Sequence, residues 1–173
     1  MSTAYTAFVG LYVTGLAVRD VYEILKKRGR VDTTDTRVFA TVFASMIVMW
    51  VAWFGMGATD PARLPVPDGV RWIGLAAVVA GVVLAVGGMW QLRGVENIDH
   101  LVTGGLFARI RHPMYVGFLL WIVGWSAYRG AVISLAVGCI GIASILWWRR
   151  SEEREMARSY GREYEEYSAR TWF

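Results

Sequence analysis

Two stretches of this chain, residues 38–58 and 72–92, run for 21 residues each without a single charge. A helix rises 1.5 Å per residue, so each is about 31 Å long and matches the roughly 30 Å of hydrocarbon in a bilayer. A third stretch, 113–148, is 36 residues long and carries charge only at Arg129. Apolar residues gathered in such blocks, rather than in amphipathic stripes, belong to helices that cross a membrane. The fold class is therefore all-α, a polytopic membrane protein. With 173 residues, one integral-membrane domain is the expectation. Residues 1–92 form three scaffold spans, and 93–173 carry whatever chemistry there is.

Taken in order, span 1 covers about 4–18. Arg19, Asp20 and Glu23 follow it and read as charges at the membrane interface. The N-terminus lacks a positive region and a cleavage site, so it reads as a retained span rather than a signal peptide. Residues 29–37 are a polar loop in which Asp32 to Asp35 offer capping side chains. Span 2 covers 38–58. Pro61, Pro65 and Pro67 make 59–71 a loop. Span 3 covers 72–92, where Gly74, Gly81 and Gly88 recur every seven residues and permit close helix approach in lipid. Tyr128-Arg129-Gly130 splits 113–148 into a hairpin of two short spans, which makes five in all. The tail, 149–173, is expected to be an amphipathic cytosolic helix.

Orientation follows from Lys and Arg. Fifteen lie with the first loop, the 93–111 connection and the tail, against Arg63, Arg71 and Arg129 on the other side. Excess positive charge stays inside. The N-terminus is then out, the C-terminus is cytoplasmic, and the connection and the tail share one face. The net charge of +4 reads as lipid-facing charge, with membrane lipids and not nucleic acid as the partner. Two histidines and one cysteine, Cys139 inside an apolar run, leave no credible metal set.

The stretch 101–115, LVTGGLFARIRHPMY, sets polar, cationic and glycine-rich sequence directly against an apolar run. Pro113 suits the first position of a helix, which puts His112 at its cap. The free N–H groups there suit a carboxylate. Gly104-Gly105 lets backbone approach a ligand, and Phe107 and Tyr115 offer aromatic faces. Glu152-Glu153 lies beyond the hairpin and can accept from an amino group or a ribose. The tail places Met156, Tyr160, Tyr164 and Tyr167 on one face and Arg150, Arg154, Arg158 and Arg162 on another. Such a helix lies at a membrane interface.

These blocks, in this order, resemble the isoprenylcysteine carboxyl methyltransferase family and its prokaryotic and phospholipid methyltransferase relatives. The resemblance covers about 99–167. It implies S-adenosylmethionine as cofactor, held by His100, Leu101, Val102, Phe107 (usually Tyr in the family), His112, Pro113, Met114, Tyr115 and Glu152, with Glu153 completing the acidic pair. It implies a lipophilic small-molecule or lipidated acceptor, with Arg149 or Arg150 holding an acidic group of it. In-line methyl transfer mainly needs donor and acceptor aligned. A carboxylate or thiolate acceptor needs no strong base, whereas an amine would need Glu152 or Glu153. A prenylated cysteine carboxylate, a small thiol and a phospholipid amine all fit. The preference for arginine over lysine suggests a prokaryotic plasma membrane. An NADPH-dependent membrane reductase of the sterol type and a non-catalytic scaffold are the alternatives.

Overall fold

The computed structural model describes residues 2–92 and 100–173. The first part of the expected connection, 93–99, lies outside the described residues. Among the described residues, six α-helices follow one another: α1 (Thr3–Lys27), α2 (Thr36–Thr59), α3 (Asp68–Leu92), α4 (Pro113–Arg129), α5 (Val132–Tyr160) and α6 (Arg162–Ala169). A 3-10 turn, Gly105–Ala108, precedes α4. No strand occurs among the described residues, only two isolated bridges.

Local chemistry sets most helix ends. Ser2 caps α1 by accepting from the Tyr5 amide, and Asp35 caps α2 by accepting from the Arg37 amide at 2.8 Å. Pro113 opens α4, and Gly130, with φ +65°, closes it in the left-handed region where glycine is unstrained. The next boundary departs from the expected layout. The second arm of the hairpin does not end near Trp148; α5 runs on without interruption to Tyr160. The chain breaks only at Gly161, at φ +51°, and α6 is eight residues long. The expected tail helix is thus two pieces, the longer of them an extension of α5. Its arginines and glutamates signalled the end of hydrocarbon and not the end of helix.

By length and composition, α2, α3 and α5 can cross a membrane. The 25-residue α1 carries Arg19, Asp20, Glu23, Lys26 and Lys27 within its length, and α4 is only 17 residues long.

α3 and α4 form the closest pair, and the glycine repeat explains it. A Cβ on Gly74 would lie 2.6 Å from the Gly124 carbonyl, and one on Gly81 would lie 2.7 Å from the Gly117 carbonyl. Gly117 and Gly124 are a second seven-residue repeat, on α4, answering the one on α3. The core sits where α1, α2, α4 and α5 meet, around Trp53, Trp148, Tyr12, Met49 and Ile122. At the end away from the motif, the buried Asp60 accepts from both the amide and the hydroxyl of Ser134 at 2.6 Å and caps the start of α5. Leu64 N–H donates to Gly130 at 2.9 Å, which ties the proline loop to the hairpin turn.

Candidate active site

The first turn of α4 gathers the motif. His112 caps the helix, and its ring stacks on Tyr115 with centroids 5.5 Å apart. Tyr115 donates its hydroxyl to Glu152 of α5. His112 Nδ1 lies 3.6 Å from Glu152, and its Nε2 lies 3.6 Å from Glu153. That Nε2 is buried and has no hydrogen-bond partner among the described residues. Such an atom is costly unless a ligand or water reaches it.

The loop before α4 is held from three directions. Gln91, near the end of α3, accepts from the Leu106 amide at 2.9 Å. Tyr167 of α6 donates to the Phe107 carbonyl at 2.8 Å. Arg111 donates to the Ser168 and Thr171 carbonyls at 2.8 and 2.7 Å. The chain end completes the strap, with Trp172 N–H donating to Arg109 at 2.8 Å and Arg111 N–H donating to Trp172 at 3.0 Å. Tyr164 and Tyr167 are therefore buried under the strap and do not face lipid. Burial, reinforced by the Glu153 carboxylate, pushes the Tyr164 hydroxyl up to about 12, and burial raises Tyr167 as well.

One cavity of about 620 Å³ adjoins these groups. His100, Leu101, Val102, Phe107, His112, Pro113, Met114, Tyr115 and Glu152 line its polar end. Glu153 does not line it; Arg111 at 3.2 Å and Arg149 at 3.0 Å hold it against the strap. Arg149 and Arg150 are likewise off the cavity wall. Arg149 packs its guanidinium over the Phe173 ring at 4.4 Å. The sequence places all three at the site, and the structure sets them off the cavity wall. Helical spacing turns Glu153 and Arg149, four residues apart, to the same side, away from Glu152.

The other arm of the cavity is apolar. Phe39, Phe43, Met46 and Trp50 of α2 face Val86 and Met89 of α3 and Phe118 and Trp121 of α4. Ile47, Val51 and Val86 line it while remaining more than 40% exposed on the outer surface, at 52%, 63% and 56%. The cavity therefore opens sideways onto the apolar flank of the bundle.

Residues 70–163, more than half of the chain, match the phospholipid methyltransferase family. The chain belongs to that family. A protein-S-isoprenylcysteine O-methyltransferase of Schizosaccharomyces pombe is 35% identical over 79 residues, which cover 42% of this chain and 31% of that protein. Protein-S-isoprenylcysteine O-methyltransferase B of Arabidopsis thaliana is 32% identical over 80 residues, or 43% and 39% of the two chains. The Dictyostelium discoideum protein-S-isoprenylcysteine O-methyltransferase is 23% identical over 187 residues, covering 94% of this chain and 75% of its own. The chain thus spans less than two-fifths of the length of the first two relatives. No solved structure matches.

The stretch matched to the phospholipid methyltransferase family begins in α3 and ends in α6, so α1 and α2 lie outside it. Both helices nevertheless reach the cavity, and sequence reasoning missed the α1 residues. Arg19, read as interfacial, is 8% exposed, and Glu23 is 1% exposed. Arg19 bonds Glu23 at 2.9 Å and comes within 3.7 Å of Glu152. Ser151 donates to Glu23 at 2.5 Å, and Trp148 donates to Asp20 at 2.7 Å. Lys26 pairs with Glu155 at 3.1 Å. The signal was present in the spacing: 19, 23 and 26 form one stripe along a helix. On α5, Met156, Ser159 and Tyr160 continue the Glu152 face and line the cavity too. Among the described residues, no group of side chains is placed to hold a metal ion.

The cavity offers a carboxylate, the amide end of α4, and flat aromatic and apolar walls.

Proposed function

We propose that this chain moves a methyl group from S-adenosylmethionine to a lipophilic acceptor within a membrane. The observation that carries the reading is a single cavity in which the motif's polar groups meet an apolar arm that opens to the bundle flank. When bound, S-adenosylmethionine supplies a methyl group on a sulfonium sulfur. Glu152 offers its carboxylate to an ammonium or ribose hydroxyl, and Tyr115 holds that carboxylate in place. The first amides of α4 offer donors to a carboxylate. His100, Leu101, Val102, Pro113 and Met114 wall the same end, and Phe107 and Tyr115 provide flat surfaces.

The apolar arm suits the hydrocarbon of the acceptor, which enters from the bilayer between α2 and α3. The relatives are named for transfer to an isoprenylcysteine oxygen, which supports a lipidated carboxylate as acceptor. Such a group is nucleophilic as it stands, so alignment suffices and no base is required. The membrane frame is five crossings, with α1 and α4 completing the set, the N-terminus outside and the C-terminus cytoplasmic. Fifteen of the eighteen Lys and Arg residues then fall on the cytoplasmic side. The motif and α6 share that face, and a plasma membrane is the setting.

Calorimetry on detergent-purified protein tests the cofactor. S-adenosylhomocysteine should bind and NADPH should not; the reverse would turn the reading toward a reductase. Tyr115→Ala and Glu152→Ala should each weaken S-adenosylhomocysteine in a protein that still melts cooperatively, and unchanged affinity in both would dissolve the site assignment. Single cysteines at positions 63 and 168 should label from opposite sides of a sealed membrane.

A further inference from the structure

We propose that Arg19 of α1 is a positioning residue of the donor site, holding the Glu152 carboxylate toward the cavity. The proposal rests on the reading of Glu152 as a donor-binding group.

Arg19 lines the cavity and is 8% exposed, so its charge has left bulk water. A guanidinium is taken that far inside only when fixed partners compensate it. Its partners are fixed indeed. Nη1 donates to Glu23 at 2.9 Å, and Glu23 is anchored in turn by the Ser151 hydroxyl at 2.5 Å. The guanidinium plane lies near the Trp148 and Tyr22 rings, 5.0 and 5.4 Å from their centroids. This leaves the other terminal nitrogen, Nη2, 3.7 Å from the Glu152 oxygen that also accepts from Tyr115. One carboxylate oxygen is thus gripped from α4 by a phenol and faced from α1 by a cation. A glutamate side chain has several free rotors, and these two contacts, with His112 Nδ1 at 3.6 Å from its other oxygen, restrict its direction.

Among the described residues, the other arginine and lysine side chains on the cavity wall are committed elsewhere. Arg111 binds the strap carbonyls and Glu153, and Lys26 pairs with Glu155. Among the described arginines and lysines of the wall, Arg19 is the one directed at Glu152. It lies outside the stretch that matches the family, so the N-terminal helix is a working wall of the site.

The test is a double-mutant cycle read by calorimetry with S-adenosylhomocysteine on the full chain. Replacing Arg19 alone would strand Glu23, so the first arm is Arg19→Gln with Glu23→Gln. The second arm is Glu152→Gln, and the third combines all three changes. The first arm should weaken binding about tenfold, and in the Glu152→Gln background the same change should cost less than about twofold. A full and independent loss in that background would mean that Arg19 acts through general packing and would overturn the proposal, as would unchanged affinity in the first arm. If the first arm melts early, Arg19→Lys carries the cycle. Lysine keeps the charge without the fork, so partial weakening that vanishes with Glu152→Gln supports the proposal, and none overturns it. Wild-type protein that binds no S-adenosylhomocysteine would defeat the proposed function itself. Binding that responds to Glu152→Gln but not to Arg19 defeats this inference alone.

Discussion

Replacing Gly81 by alanine probes the α3–α4 contact on which the cavity depends. The added Cβ would lie 2.7 Å from the Gly117 carbonyl oxygen and 2.7 Å from the Trp121 ring, where ordinary contact begins near 3.4 Å. Neither neighbour is a flexible tip, so the helices must separate by about 0.7 Å, the difference of those two distances. A gap of that size removes a quarter to a half of the dispersion energy of each contact it opens. Overpacking of this kind costs about 1–3 kcal/mol. Gly87 on the same helix is the control, since its Cβ would meet only the end of the Leu106 side chain, at 3.0 Å. Leucine can turn aside, so Gly87→Ala should change stability by less than about 0.5 kcal/mol. Melting in detergent, followed by tryptophan fluorescence, should fall clearly for Gly81→Ala and hold for Gly87→Ala. Because α4 starts at the motif, S-adenosylhomocysteine affinity should fall with the first change and not with the second. Equal melting temperatures for the two variants would refute the claim that bare backbone contact sets this interface.

Asp60→Ala should destabilise the protein by about 2 kcal/mol, since it uncaps α5 and orphans two buried Ser134 donors; chemical unfolding measures it, and a loss under 0.5 kcal/mol would deny the cap. Tyr115→Phe keeps the ring but removes the bond to Glu152, so S-adenosylhomocysteine should bind about three- to tenfold more weakly by calorimetry. Glu153→Gln should speed proteolysis of the chain end beyond Gly161, because Arg111 and Arg149 then lose the carboxylate that joins them; an unchanged digestion rate would contradict its role in the strap. Tyr164 supplies a pH dependence. Its folded value, about 12, lies above the ordinary value near 10, so its contribution is complete below pH 10 and is lost as pH climbs toward 12. Melting in that window should lose part of its alkaline slope in Tyr164→Phe.

The amino-acid order by itself determined what is local. Uncharged runs of 21 residues announce α2 and α3, Asp35 and Pro113 start helices, and Gly130 stops one, because capping and φ preference act within a turn. Most of the polar end of the cavity was legible for a related reason, since the motif compresses its residues into one short segment that ends in the first turn of α4. Tertiary structure alone decided the rest. Gly117 and Gly124 matter only because another helix brings Gly74 and Gly81 against them. Glu152 and Glu153 look equivalent in the chain, yet one lines the cavity and the other holds the strap, since adjacent helical residues point about 100° apart. Arg19 and Glu152 are separated by most of the chain's length, and nothing in hydropathy tells a charge at the membrane surface from one folded inward. That choice is made when α1 packs on α5, where a buried guanidinium becomes tolerable only because carboxylates from both helices are waiting for it.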